Sequence, residues 1–345
     1  MPRDDSHARL PAVPSDHWDG KRFFNPHADT DKSRRDLWRL YTERKWPRWA
    51  PQAPEQMPDQ MPEQPRPSSP ITPAITPASG EVALTFIGHV TFLLRIGGAT
   101  FLTDPVFSDR AGPFGRLGPK RARAPAVPLD DLPPVDAVLL SHNHYDHMDM
   151  PSLKRLAQRR GVPQAVSGLG NGPMLRRAGF DAVNELDWWD GIDGPDGTRI
   201  TFVPAQHWSA RGPFDRRKTL WGGFVVEAPG ITVYFAGDSG YCPHFREIRE
   251  RFGTIDVALL PIGAYEPRWF MAPQHMNPAE AVQAHRDLEA RRSVAMHFGT
   301  FQLTPEAIDA PAEALYLALA EQDLDSSHFV VPAFGETLLF PSRYI

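Results

Sequence analysis

The sequence predicts an α/β sandwich, and three observations carry that prediction. From residue 81 onward, short β-type runs alternate with helical patterns. These fall into two halves, each with strands and then helices, which suits layered sheets better than a barrel. Polar residues stand immediately after the apolar runs, where layered α/β folds gather their ligands.

In chain order, EVALTFIG (81–88), VTFLLRIG (90–97) and ATFLTDP (99–105) read as three short strands separated by Gly-containing turns. VDAVLL (135–140) is a largely apolar run that ends where a histidine cluster begins, and PSLKRLAQRR (151–160) follows as a helix. RITFVPA (199–205), WGGFVVEA (221–228), ITVYFAG (231–237) and IDVALLPIG (255–263) are the next strands. The helix PAEAVQAHRDLEARR (278–292), the strand SVAMHF (293–298) and a helix from Pro305 to Gln322 complete the series. This body is taken as one domain, residues 81–345.

Residues 51–80 carry nine prolines and hardly any large apolar side chains. Such a segment is expected to be an extended or disordered linker with no core of its own. It separates the body from an N-terminal arm, residues 1–50. Within the arm, DKSRRDLWRLYTERKWPRW (31–49) reads as a short helix capped by Asp31 and ended by Pro47, with Leu37, Trp38, Leu40 and Tyr41 on its apolar side. Seven basic and two acidic residues lie between Lys32 and Arg48. That helix either docks on the body with its charges solvated or meets an anionic membrane surface.

The net charge of −5 argues against nucleic acid as a partner. A single cysteine, Cys242, excludes an internal disulfide framework and suits a reducing compartment. The polar start MPRDDSHARL lacks an apolar h-region, and no run approaches the ~18 apolar residues of a membrane span. The expected location is cytoplasmic, at most peripheral to a membrane.

SHNHYDHMD (141–149) packs three histidines and two aspartates into nine residues. Groups like these seldom enter a core unsatisfied. His142, His144, Asp146 and His147 follow VDAVLL; His207 follows RITFVPA; Asp238 follows ITVYFAG; His297 ends SVAMHF. Seven His and Asp residues from four strand ends are what two borderline divalent cations require. His142, His144 and His207 form one three-nitrogen face, Asp146, His147 and His297 the other, and Asp238 bridges.

SHNHYDHMD, AQHW, GDSGY and MHFGTF, in this order, resemble the metallo-β-lactamase superfamily. GHVTFLLRIGGATFLTDPVFSDRAGPFGRLGPKR, LPPVDAVLLSHNHYDHMD and LPIGAYEPRWFMAPQHMNPAEAV are similar to its N-acylphosphatidylethanolamine-hydrolysing phospholipase D branch, with a weaker echo at GKRFFNP in the arm. The resemblance implies an αββα sandwich with a dizinc site at one edge, and the family's metal ligands match the seven residues one for one. It further implies a phospholipase D-type cleavage of N-acylphosphatidylethanolamine-like lipids to an N-acylethanolamine and phosphatidic acid.

Two cations, two aspartates and a hydroxide held between the metals would leave the site about +1, suited to a phosphodiester anion. Zn2+ is the expected pair, with Mn2+ or Fe2+ also compatible with His/Asp ligands. Asp146, His275 and Tyr265 are the candidate catalytic residues, with His275 placed to reach the substrate. Asp104 either fixes the tautomer of a ligand imidazole or serves as a strand-end turn before Pro105. Glu266 is expected to face the site end beside Tyr265. Lys120 and Arg121 either meet a phosphate or form a solvated basic loop. Trp188, Trp189, Trp269, Phe270 and Met271 either line an acyl-chain groove or belong to the core. The expected partners are a phosphodiester or phospholipid substrate, a peripheral membrane contact and a second copy of the chain as a homodimer. The competing readings are a lactonase or other carbonyl hydrolase on the same scaffold, and a metal-holding module without turnover.

Overall fold

The computed structural model describes residues 10–43, 46–51, 77–78 and 80–341. Most of the Pro-rich segment expected to be an extended linker therefore lies outside the described residues. The first half of the body runs β1 (Val82–Gly88), β2 (Thr91–Ile96), β3 (Ala99–Thr103), β4 (Ala137–Leu140), α2 (Met150–Ala157), β5 (Gln164–Gly168), α3 (Gly172–Ala178) and β6 (Val183–Leu186), with α1 (Arg34–Thr42) in the arm before it. The second half runs β7 (Gly191–Asp193), β8 (Arg199–Val203), β9 (Gly223–Ala228), β10 (Ile231–Phe235), α4 (His244–Phe252), β11 (Val257–Pro261), α5 (Arg268–Met271), α6 (Pro278–Asp287), β12 (Arg292–Met296), α7 (Ala310–Glu321) and β13 (Phe329–Val330). The last strand, β14 (Thr337–Phe340), returns to pair with β1.

Two seven-stranded sheets result, ordered β14-β1-β2-β3-β4-β5-β6 and β7-β8-β9-β10-β11-β12-β13. Both follow one pattern. The first three pairings in each are antiparallel and the last three parallel. Parallel strands covered on both faces need continuous apolar runs rather than alternation, and AVLL of β4 and VALLP of β11 are buried at every position. The β2–β3 turn is Gly97–Gly98 with φ of 61° and 94°, the left-handed pair that a tight hairpin demands and glycine supplies without strain.

One apolar cluster fills the space between the sheets, with Phe86, Phe92, Phe202, Phe224 and Trp221 among its fully buried members. A second lies between the first sheet and helices α2 and α3, through Leu102, Val138, Leu140, Leu153, Leu156 and Leu175. Each such side chain contributes ~1.5–3 kcal/mol by leaving water. Among the described residues, no helix is long and apolar enough to cross a membrane.

Several sequence expectations are corrected. Helix α1 is capped by Ser33, not Asp31: Ser33 and Asp36 form a reciprocal capping box. A cap must sit directly before the first helical residue, and Asp31 instead pairs with Arg216 and Arg217 at 3.0 and 2.8 Å. Helix α6 ends at Asp287 rather than Arg292, because the chain turns through Glu289 (φ 46°) to begin β12. Helix α7 starts at Ala310, five residues after Pro305. Strands β5, β6, β7, β13 and β14 and helices α3, α4 and α5 were not foreseen.

The arm is docked. Trp18 and Phe23 join the main core, and His17 Nε2 lies 2.7 Å from Asp187 Oδ1. Helix α1 buries no residue. It touches the body through Arg39 over the Trp269 ring, and Lys32, just ahead of its cap, lies over the Phe270 ring, while Leu37, Trp38 and Tyr41 face solvent.

Candidate metal centre

Loops that leave the C-terminal ends of β1, β3, β4, β8, β10 and β12 converge on one point. His89 follows β1, Asp104 follows β3, His142 to His147 follow β4, His207 follows β8, Asp238 follows β10 and His297 follows β12. Three of these residues, His89, Asp104 and His297, hold left-handed backbone with φ of 58°, 30° and 60°. Such conformations cost energy and persist where the surroundings enforce them, often at sites. Gly237, at φ 61°, precedes Asp238; a Cβ there would lie 2.7 Å from both the Gly222 carbonyl oxygen and the Ser141 Cβ. Only glycine lets β10 deliver Asp238 so close to the β4 loop.

The side chains form two sets. In one, His144 Nδ1 lies 2.9 Å from His142 Nε2 and 3.2 Å from His207 Nε2. In the other, Asp146 Oδ2 lies 3.2, 3.5 and 3.7 Å from the Nε2 atoms of His89, His297 and His147. Asp238 Oδ2 reaches both, at 3.1 Å from His147 Nε2, 3.2 Å from His297 Nε2 and 3.7 Å from His207 Nε2. His275 Nε2 stands 3.8 Å from the same oxygen.

Partners behind the cluster set which nitrogen each imidazole presents. His147 Nδ1 donates to Asp104 Oδ2 at 2.7 Å, and Asp104 also accepts from the Ser141 hydroxyl and amide. His207 Nδ1 donates to the Gln274 carbonyl at 2.9 Å. Both contacts leave Nε2 directed at the cluster, as metal-ligating histidines require. Arg211 donates to the carbonyls of Asn143 and Met148 and lies over the Tyr145 ring, which fixes the loop itself.

Charge follows the geometry. Burial, reinforced by neighbouring imidazoles, holds His142 well below the ordinary range, and burial pulls His207 down to about 4. Burial also opposes charge on His147 and His297. Asp238 and Asp146 outweigh it, raising His147 well above its usual value and His297 to about 9. The carboxyls of Asp146 and Asp238, which burial alone would raise, are held well below the carboxylate range, first of all by His147. Nε2 of His147 and His297 and Oδ1 of Asp238 are buried without a hydrogen-bond partner among the described residues. Buried polar atoms normally find partners, so this donor set fits divalent cations.

A family model described as a β-lactamase superfamily domain matches residues 99–298. The chain belongs to the metallo-β-lactamase superfamily. Its two sheets and helical layers are that superfamily's fold, and it is a hydrolase of this fold with a His/Asp cluster able to bind metal. The chain is 40% identical over 263 residues to N-acyl-phosphatidylethanolamine-hydrolyzing phospholipase D 1 of Caenorhabditis elegans, covering 73% of this chain and 74% of that protein. It is 36% identical over 262 residues to the mitochondrial N-acyl-phosphatidylethanolamine-hydrolyzing phospholipase D of Saccharomyces cerevisiae, covering 74% of this chain and 55% of that protein. Among solved structures, an isothiocyanate hydrolase from Delia radicum gut bacteria superposes with a TM-score of 0.59 at 23% identity, over 75% of this chain and all of that one.

All seven residues read from the sequence as ligands meet at this centre of the superfamily fold, and Asp104 and His275 stand beside them. The remaining candidates have other partners. Tyr265 is buried next to Glu306, whose carboxylate accepts from the Tyr265 amide, and burial with that neighbour pushes its phenol up to about 12. Glu266 accepts from the Arg268 amide. Arg121 is buried and spends its guanidinium on the carbonyls of Ser108 and Val106, over the Phe301 ring. Lys120 is exposed on a backbone bridge to Arg110. Trp188 is a core residue that donates to the Trp221 carbonyl.

Sequence reasoning missed His89. It obeys the same rule as the others, a polar residue right after an apolar strand, but it lies in a short turn that reads as an ordinary hairpin. Asn25 was missed as well. It accepts from the His207 amide at 3.1 Å and donates to the His207 carbonyl at 2.8 Å, so the arm braces a cluster residue.

Proposed function

We propose that the protein is a dinuclear, zinc-class phosphodiesterase that cleaves N-acylphosphatidylethanolamine-like lipids in the manner of a phospholipase D. The observation that carries this reading is Asp238 Oδ2, which lies within 3.1–3.7 Å of imidazoles from both halves of the cluster. A carboxylate in that position joins two cation sites. His142, His144 and His207 would hold one ion, and Asp146, His147 and His297 the other. When bound, such a pair lowers the pKa of water and neutralises charge on a phosphoryl group. The lipid assignment draws on the two relatives named for hydrolysing N-acyl-phosphatidylethanolamine.

The protein's own groups then have separate tasks. Asp104 and Gln274 fix the tautomers of His147 and His207 from behind. His89 braces the Asp146 carboxylate. His275, buried and 3.8 Å from Asp238, is the group on the substrate side, placed to orient the diester or move a proton. Exposed Leu37, Trp38 and Tyr41 on α1, with Arg39 and Lys32 tying that helix to Trp269 and Phe270, suit contact with the surface of a lipid aggregate.

Hydrolysis of bis-p-nitrophenyl phosphate and of simple lactones by metal-loaded protein tests the reaction class. Diester cleavage well above lactone opening, lost on Asp238→Ala, supports the proposal. Lactone opening without diester cleavage would replace it with a carbonyl hydrolase.

A further inference from the structure

Helix α4 begins with His244 and carries Glu247 three residues later, the spacing that sets two side chains on one helix face. His244 Nδ1 lies 3.0 Å from Glu247 Oε2. From the arm, His27 brings Nε2 to 3.6 Å from Glu247 Oε1, and its ring stands 4.8 Å from that of His244 at 63°. One ligand atom from each of the three lies within 4.8 Å of the others. At 3.6 Å the His27 contact is too long for a hydrogen bond. Ligands bonded to a tetrahedral zinc at 2.0–2.1 Å stand about 3.3 Å apart, a spacing that the 3.0 and 3.6 Å separations bracket.

The ring of His244 is held for such a role. It is 4% exposed and packs 5.5 Å from Trp188. His27 is exposed, and a cleft of about 480 Å3 lined by Phe24, Asn25, His27, Asp29 and Arg217 lies beside it. An ion and its water have a route in.

We propose that His27, His244 and Glu247 form a further metal site, outside the strand-end centre, that takes an exchangeable zinc-class divalent cation. Two imidazoles and one carboxylate leave the fourth position to water. The site clamps the arm to α4. Because Asn25, two residues from His27, exchanges hydrogen bonds with the His207 backbone, the clamp also steadies the loop that carries His207.

The test equilibrates the full-length, metal-loaded protein with buffered free Zn2+ from micromolar to millimolar, alongside His27→Ala and Glu247→Gln, and counts bound metal by elemental mass spectrometry. The wild type is expected to take up one equivalent more than either variant, and its Tm to rise over that zinc range while the variants' Tm does not. The readouts are metal uptake and Tm rather than hydrolysis, so the outcome does not depend on the phosphodiesterase reading. Equal uptake by wild type and His27→Ala at every zinc concentration overturns the proposal, as does an undiminished extra equivalent in Glu247→Gln.

Discussion

Asp238 touches imidazoles that arrive from the ends of β4, β8 and β12, so its loss should be felt by both ion positions at once. Asp238→Ala is expected to lower diesterase turnover by several orders of magnitude and to weaken metal retention, read together by kinetics and elemental analysis of gel-filtered protein. His275→Ala should keep its metal and lose about 10²-fold in rate, as loss of a positioning or proton-transfer group does. Loss of metal in His275→Ala with full retention in Asp238→Ala would show that a ligand has been misassigned. Asp104→Ala removes the acceptor behind His147, and metal affinity measured by chelator competition should fall about 10–100-fold; unchanged affinity would make Asp104 a turn residue only. The seven ligand candidates were legible because His and Asp close behind largely buried strands have few other reasons to be there. Arg121 and Glu266 were not legible as to role. The same side chains serve phosphate or backbone equally well, and only folding revealed the carbonyls of Ser108 and Val106 and the amide of Arg268 as their partners.

At the scale of elements, strands with long apolar runs, such as β4, β10 and β11, were readable because burial on both faces erases polar alternation. The edge strands β6, with VNEL, and β7, with GID, carry no such signal and were missed. The arm was read as a helix of undecided partner, and its actual anchor, near Trp18 and Phe23, lies upstream of that helix. The His17–Asp187 contact makes that anchor pH-dependent. Burial opposes charge on His17, but Asp187 and Asp16 outweigh it and raise its pKa. A raised pKa means that the stabilisation is complete below the unfolded value of about 6.5 and is lost as pH climbs through the folded value. Protease cleavage within residues 10–30 should therefore be slower at about pH 6 than at about pH 8, and Asp187→Asn should remove most of the difference. Equal cleavage rates at both pH values in the wild type would contradict this account of the anchor.

For the whole molecule, the two sheets repeat one order of pairings, three antiparallel and three parallel, and β14 closes the first sheet by returning to β1. That arrangement turns the carboxyl ends of strands from both halves toward one edge, where the candidate ligands meet although they are up to 155 residues apart in sequence, from His142 to His297. The α/β sandwich was legible from strand and helix alternation. The repeat itself was not, because β13 and β14 are short and read as loop. The central claim is that this edge attacks phosphorus rather than a carbonyl carbon. Mass spectrometry of products formed from N-acylphosphatidylethanolamine in 18O-labelled water by the metal-loaded protein tests it most directly. The account predicts unlabelled N-acylethanolamine and phosphatidic acid carrying one 18O on its phosphate; label appearing instead in a free fatty acid carboxylate, with the phosphodiester intact, would contradict it.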